Sequence, residues 1–190
     1  MSVGKLIYSM NPSLDGYIAG PDGEIIPGAP TEEVHRVHNA HIAELAVHLC
    51  GRRLYEVMTY WDDFAEREPG APDYELEFAR NWRALPKIVF SNTLTEVGPN
   101  ATLASEDVPT TVGRLKREAG DIAVGGAELA GECIRLGLVD EFRLFLTPFV
   151  IGGGTPYFPK DVGLDLRLAE TQAYASGTVY LRYERTDGAG

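Results

Sequence analysis

Residues 121–137, DIAVGGAELAGECIRLG, place a short apolar run, two glycines and a helical pattern in direct succession. Ile122 to Val124 is apolar throughout and short, which is typical of a buried central strand. After Gly125 and Gly126, apolar residues recur at the spacing of one helix face, at Leu129, Ala130, Cys133 and Ile134. Gly137 then ends the helix as a C′ residue. The segment therefore predicts a strand that turns directly into a helix, which is the unit of a parallel sheet.

The same alternation extends toward the N-terminus. Apolar runs predict strands at Lys5 to Met10, Ala46 to Cys50, Lys87 to Phe90 and Ala101 to Ser105. Helical spacing separates them, at residues 31–45, 54–61, 74–85 and 112–119, with Thr31 as the N-cap of the first helix. Residues 19–30, AGPDGEIIPGAP, are rich in glycine and proline and predict a functional or mobile loop.

The pattern changes after about residue 137. Val139 to Ile151 is rich in β-forming residues, and Leu166 to Gln172 with Thr178 to Tyr183 alternates around Ser176-Gly177 like a hairpin. We therefore expect antiparallel strands in this part of the chain. The whole order predicts an α/β, three-layer fold, with a mixed sheet that is parallel at its centre and helices on both faces.

The composition limits the classes of function. A chain of 190 residues with 44% hydrophobic and 24% charged residues predicts one globular domain over residues 1–190. The net charge of −11 argues against nucleic acid and anionic lipid surfaces as partners. No apolar run is long enough for a membrane helix and no signal peptide is evident, so we expect a cytoplasmic protein. Cys50 and Cys133 lie far apart in apolar contexts and are expected to be buried thiols.

Ligands of open α/β sheets bind beyond the carboxyl ends of the parallel strands. Four segments follow predicted strands there: residues 11–17, 51–55, 91–93 and 125–128. Gly125-Gly126 would let a pyrophosphate approach a helix N-terminus, although a tight turn that binds nothing has the same sequence. Arg52 and Arg53 follow Gly51 at a second helix start, either as phosphate ligands or as two solvated side chains. Ser91, Asn92 and Thr93 are either phosphate donors or the polar caps of a turn.

Other segments carry further candidate groups. Asp15, beside Gly16, is either a catalytic or substrate-orienting acid or the cap of an Asx-turn. The spacing of His35, His38, His41 and His48 does not make a zinc set, and we expect no metal. Hydrolase and P-loop motifs are absent from the sequence. The run 152–158, GGGTPYF, is either the lining of a substrate pocket or a simple connection.

Taken jointly, four of these segments make the chain resemble the dihydrofolate-reductase-like superfamily, and within it the stand-alone proteins similar to the C-terminal reductase domain of RibD in riboflavin biosynthesis. The resemblance covers nearly the whole chain. It rests on SLDGYIA at 13–19, GRRLYE at 51–56, IAVGG at 122–126, and VDE at 139–141 running to Pro148 and GGG at 152–154.

The resemblance implies an NADPH-dependent reductase, with an activity like that of 5-amino-6-(5-phosphoribosylamino)uracil reductase. It implies a cofactor site made of Ser13, Gly16, Gly51, Arg52, Arg53, Leu54, Ser91, Asn92, Thr93, Val124, Gly125, Gly126, Ala127 and Glu128. Substrate contacts are expected from Tyr17, Tyr55, Thr155 and Tyr157. Asp15 is the candidate for orienting substrate or relaying a proton.

The positions at which riboflavin-pathway reductases carry basic and acidic residues hold Tyr8, residues 40–43 and Val124 here. We therefore expect hydride transfer to a small pterin-like or aminopyrimidine-like heterocycle. The anionic tail of a phosphoribosyl substrate has fewer evident partners in this sequence. The alternative is a non-catalytic nucleotide-binding or regulatory module with the same fold. A homodimer is expected, formed through a long apolar edge at Phe142 to Ile151.

Overall fold

A computed structural model describes residues 3–24 and 30–186. Its main feature is an eight-stranded sheet in the order β5-β4-β3-β6-β1-β7-β10-β9. The strands of this sheet are β1 (Leu6–Met10), β3 (Val47–Gly51), β4 (Lys87–Phe90), β5 (Ala101–Leu103), β6 (Ile122–Gly125), β7 (Glu141–Leu146), β9 (Leu166–Ala173) and β10 (Val179–Arg185). A separate two-stranded sheet pairs β2 (Tyr17–Ala19) with β8 (Thr155–Pro156).

The centre of the sheet is parallel, as the sequence predicts. β1 pairs in parallel with β6 on one side and with β7 on the other, and β3, β4 and β5 continue the parallel part. In this sheet only β10 runs in the opposite direction, because it pairs antiparallel with both β7 and β9, and with β9 it forms the expected hairpin. The prediction that every strand after residue 137 is antiparallel is therefore wrong for β7. The helix before β7 returns the chain to the start of the sheet, so β7 runs in the same direction as β1.

Six helices lie among the described residues, and the residues that they bury place them on both faces of the sheet. They are α1 (Glu32–Ala43), α2 (Arg52–Met58), α3 (Phe64–Arg67), α4 (Asp73–Ala84), α5 (Val108–Glu118) and α6 (Ala127–Arg135). Apolar residues of α5 and α6 pack in one core cluster, whereas those of α1, α2 and α4 pack in clusters on the opposite face. The three-layer prediction is confirmed.

Local details differ from the sequence prediction in several places. The helix expected over 54–61 begins at Arg52, ends at Met58 and is followed by a 3-10 turn at Thr59–Trp61. Neither α3 nor the β2-β8 pair was predicted, because four-, three- and two-residue elements carry too few residues to show a period. Of the predicted 19–30 loop, residues 25–29 lie outside the described residues.

The predicted apolar edge at Phe142 to Ile151 is wrong for most of its length. β7 lies between β1 and β10, and Phe142 and Phe145 are at most 1% exposed. Exposed residues of the run lie at its end, at Pro148, Phe149 and Val150, of which Phe149 is 43% and Val150 70% exposed. The outer strands among the described residues are β5 and β9.

Both cysteines are buried free thiols, as predicted. Burial raises the pKa of Cys50 and of Cys133 to about 12, so both remain protonated at neutral pH. Within residues 3–24 and 30–186, no helix is both long and apolar enough to span a membrane.

Candidate functional site

The N-termini of α2 and α6 meet at the carboxyl ends of the central strands. Cys50 and Gly125 are partners in the β3-β6 register, so the residues that follow them are adjacent. Gly51 is the N-cap of α2, and Gly126, with φ of +92°, is the N-cap of α6. A Cβ added at Gly126 would lie 3.5 Å from the Cα of Gly51. The two segments therefore form one site, at which the absence of side chains on two glycines lets the backbones come into contact.

The site at the starts of α2 and α6 has the properties of an anion-binding site. Among the described residues, no side chain caps α2 or α6, so their first N–H groups remain available. The nine-residue α6 also presents the positive end of its dipole there. Ala127 is half-buried and Glu128 is exposed in its first turn. The residues present thus fit a pyrophosphate group, which needs backbone donors and no intervening Cβ.

Packing alone explains three of the expected cofactor residues. A Cβ at Gly125 would lie 2.2 Å from Cδ2 of Leu54 and 2.9 Å from Cε1 of His48. Gly125 is therefore required by its neighbours, and Leu54 is the side chain that covers it. Val124 is 1% exposed inside β6. Its side chain belongs to the core, and its role in cofactor binding stays a prediction.

Arg52 and Arg53 are both exposed, but their surroundings differ. Nη1 of Arg52 donates to both carboxylate oxygens of Glu56, at 3.1 and 3.2 Å. Arg53 lies on an open cleft of about 420 Å³, which is lined by Asp22, Gly23, Arg53, Glu56 and Val57. The cleft lies between the loop after β2 and the outer face of α2. It places two carboxylates, those of Asp22 and Glu56, beside Arg53.

Ser91, Asn92 and Thr93 form a turn after β4. The Ser91 hydroxyl accepts hydrogen bonds from the backbone N–H groups of Thr93 and Leu94, at 3.1 and 3.0 Å. These contacts match the polar-turn interpretation of the sequence. Asn92 and Thr93 are exposed, so their side chains are the groups that remain accessible to a ligand.

The Asp15 carboxylate links two loops through hydrogen bonds. Its carboxylate accepts from the Ser13 hydroxyl at 2.7 Å and from the backbone N–H groups of Gly152 and Ile151 at 2.7 and 3.2 Å. Ser13 is fully buried and its hydroxyl also accepts from the Tyr17 N–H at 3.0 Å. The Ser13 hydroxyl, followed by these N–H groups, lowers the pKa of Asp15. The contacts favour a positioning role for an ionised Asp15 over a proton relay.

The glycine-rich run at 152–154 packs against the first loop. A Cβ added at Gly154 would lie 2.1 Å from the Ala19 carbonyl oxygen, so the two backbones touch. The Tyr157 N–H donates to the Gly16 carbonyl at 2.9 Å. The β2-β8 pairing joins Tyr17 to Pro156 and Ala19 to Thr155. Tyr17 and Thr155, both half-buried, thus lie in one unit made of the two loops.

Two of the residues expected to contact substrate have buried side chains. Tyr55 is 5% exposed, and its hydroxyl accepts from the Gly98 N–H at 2.7 Å. Tyr157 is 2% exposed, stacks on Tyr8 with 4.3 Å between ring centroids, and donates to the Tyr8 carbonyl at 2.9 Å. Both side chains therefore pack in the core of this structure, because the phase of each element turns them inward. Their contacts with substrate stay predictions.

The structure adds cleft residues that the sequence did not single out. Glu56 and Val57 lie on the exposed face of α2, and Asp22 with Gly23 faces them from the loop. The i,i+4 spacing of Arg52 and Glu56 was a usable sequence signal. No local signal joins residues 22 and 56, since only tertiary packing brings them together.

The four histidines do not gather into a metal site. His35, His38 and His41 line the inner face of α1, and His48 lies in β3. In the described part of the chain, no group of three or more His, Cys, Asp or Glu residues could hold a metal ion.

Comparisons with known proteins match this chain over most of its length. The family model described as the RibD C-terminal domain matches residues 4–180. The uncharacterized protein YyaP of Bacillus subtilis (strain 168) is 31% identical over 183 residues, which cover 94% of each chain. These matches span the segments from which the site was built.

Solved structures agree on the fold. A putative riboflavin biosynthesis protein from Shewanella sp. PV-4 has a TM-score of 0.72 at 20% identity, covering 96% of this chain and 99% of that one. Dihydrofolate reductase from Enterococcus faecalis, complexed with NADP(H), has a TM-score of 0.62 at 15% identity, covering 98% and 99%. The predicted dihydrofolate-reductase-like fold is confirmed. Because the family model spans nearly the whole chain, this protein belongs to the RibD C-terminal domain family.

Proposed function

We propose that this protein is an NADPH-dependent reductase that transfers hydride to a small pterin-like or aminopyrimidine-like heterocycle. The observation that carries the proposal is the contact between Gly51 and Gly126, which opens two helix N-termini to one anion beside two arginines. Membership of the RibD C-terminal domain family supports a reductase-like role. Bound NADPH would supply the hydride.

The pyrophosphate would lie at the start of α6, where the first N–H groups accept an anion and Gly126 adopts the positive φ of the turn into the helix. Arg53, on the cleft, and Arg52, on the same helix turn, would supply positive charge for the 2′-phosphate. Each charge-assisted contact to that phosphate contributes about 1.5 to 3 kcal/mol. Two such contacts would favour NADPH over NADH by roughly a hundredfold or more. The accessible side chains of Asn92 and Thr93 would add neutral donors.

The substrate would bind beside the unit formed by residues 13–19 and 151–157. In this arrangement Asp15 holds the Gly152 and Ile151 backbone in place, so it acts as a positioning residue. Tyr17 and Thr155 remain the candidates for direct contact, since both are only half-buried. The proposed role of Asp15 predicts that Asp15→Asn raises KM for substrate more than it lowers kcat.

A binding titration tests the cofactor proposal. NADPH and NADH are titrated into the wild type and into an Arg52→Ala/Arg53→Ala variant, and bound nucleotide is measured by calorimetry. We expect the variant to lose roughly a hundredfold in NADPH affinity and little in NADH affinity. Equal affinities of the wild type for the two nucleotides would contradict the proposal. So would unchanged NADPH binding by the variant.

A non-catalytic nucleotide-binding module is the second candidate. The engagement of both Asp15 oxygens favours it, because Asp15 is the one carboxylate in the unit formed by residues 13–19 and 151–157. NADPH oxidation with a panel of pterins, aminouracils and quinones separates the two candidates. Turnover of any member supports the reductase, whereas tight binding without turnover supports the module.

We also propose a cytoplasmic homodimer. Leu14, Phe149 and Val150 are exposed, and the Leu14 N–H donates to the Phe149 carbonyl at 2.7 Å, so these apolar side chains belong to one surface. Light scattering after size-exclusion chromatography should give twice the chain mass, and Val150→Asp should shift the mass toward the monomer. A wild-type monomer at micromolar concentration would contradict this proposal.

A further inference from the structure

Glu56 occupies a position from which it competes with a phosphate for Arg52. Its two carboxylate oxygens lie 3.1 and 3.2 Å from Nη1 of Arg52 in an i,i+4 pair on α2. Glu56 also lines the cleft with Arg53. The carboxylate therefore neutralises one of the two cations proposed for the 2′-phosphate and stands beside the other.

The other groups near the arginines do not offset this effect. The Ser91 hydroxyl is occupied by two backbone N–H groups of its own turn. Asp22 adds a second carboxylate on the opposite side of the cleft. A dianionic phosphate at this place must draw Arg52 away from Glu56 and accept repulsion from a negative charge that remains near it. NADH has a free 2′-hydroxyl in place of this phosphate, so its binding neither draws Arg52 away from Glu56 nor brings a second negative charge close to that carboxylate.

We propose that Glu56 limits the preference of this protein for NADPH over NADH, because it holds Arg52 and repels the 2′-phosphate, so that NADPH binds less tightly than two free arginines would allow. The inference rests on the proposed function. It assigns to Glu56 a specificity role that is separate from binding the nucleotide itself.

The direct test is Glu56→Gln, which keeps the size of the side chain and removes its charge. We expect NADPH to bind roughly threefold to tenfold more tightly, because an exposed pair is broken and one repulsive charge is removed. NADH affinity should change less than about twofold. The matched control is Glu118→Gln, which removes the same charge from an i,i+4 pair with Arg114 on α5. That variant should leave both affinities unchanged.

A double-variant cycle tests whether the effect passes through Arg52. In an Arg52→Gln background, Glu56→Gln should yield a smaller gain in NADPH affinity than in the wild type. A ratio of NADPH to NADH affinity that is unchanged by Glu56→Gln, or changed equally by Glu118→Gln, would overturn the inference while leaving the proposed function intact. A wild type that binds neither nucleotide would instead overturn the proposed function, and the inference with it.

Discussion

Single atoms decide which candidate residues belong to the site and which belong to the core. The hydroxyls of Tyr55 and Tyr157 bond to backbone groups inside the protein. The carboxylate of Asp15 instead bonds across two loops at the surface. At this scale the sequence indicates the chemistry that a residue offers, and the contacts determine whether a ligand has access to it.

Gly154 and Gly153 are adjacent residues with different requirements. Gly154 has φ of +125° and a Cβ there would meet the Ala19 carbonyl at 2.1 Å, whereas a Cβ at Gly153 would meet nothing within 4 Å. We expect Gly154→Ala to lower the free energy of unfolding by about 2 to 4 kcal/mol, because backbone must move. Gly153→Ala, the control, should change it by less than about 0.5 kcal/mol. Urea denaturation measures both, and equal effects would disprove the contact.

Tyr55→Phe tests the placement of this residue in the core. Removing the hydroxyl leaves the Gly98 N–H without its acceptor, so the free energy of unfolding should fall by about 1 kcal/mol. Affinities for nucleotide and substrate should remain at wild-type values. Loss of substrate affinity without loss of stability would show instead that Tyr55 contacts substrate.

At the scale of the elements, α1 packs an unusual set of polar groups against the sheet. The His38 ring lies 4.2 Å from the Phe145 ring of β7, and His41 lies 5.6 Å from Tyr180 of β10, measured between centroids. Burial, followed by the charges of His41 and His35, lowers the pKa of His38 to about 3. Burial, followed by the charge of Arg143, lowers the pKa of His41 to about 4. The layer therefore requires neutral histidines.

This requirement predicts a loss of stability in acid. As the pH falls below about 6.5, the unfolded chain binds protons at these histidines before the folded state does. Stability should decrease down to about pH 4, where His41 begins to titrate in the folded state, and further toward the pKa of His38. His38→Leu should reduce the loss between pH 6.5 and 4 by on the order of 2 kcal/mol. Thermal unfolding across this range provides the measurement, and parallel pH profiles for the two proteins would contradict the assignment.

For the whole molecule, a net charge of −11 coexists with a local anion site. Net charge acts over long range and opposes the approach of any anion. The site offers backbone N–H groups, the dipole of α6 and two arginines, which act over a few ångströms. The proposed ligand is therefore held by local features that differ in sign from the molecule as a whole.

Salt should reveal this difference. Between about 50 and 500 mM NaCl, screening should weaken NADPH binding several-fold, because the 2′-phosphate depends on exposed arginines. NADH carries no such phosphate, so its affinity should fall less over the same range. Calorimetric titrations at matched pH measure both, and equal salt dependence of the two nucleotides would show that the arginines do not contact the 2′-phosphate.

The sequence by itself determined the order and type of the main elements, because a strand period, a helix period and glycine turns are local properties. The unit at 121–137 and the C-terminal hairpin follow from such patterns, and the rule that parallel strands end at one edge placed the segments after those strands at that edge. A resemblance carried by four short segments was also sufficient to indicate the family.

Only the tertiary structure decided which side chains meet. Asp15 and Gly152 are 137 residues apart in sequence, and nothing local predicts their hydrogen bond. Long-range packing also decides the interior position of β7, the burial of Tyr55 and Tyr157, and the position of Asp22 across the cleft from α2. Periodicity specifies the face of an element on which a residue lies, but long-range packing specifies what covers that face.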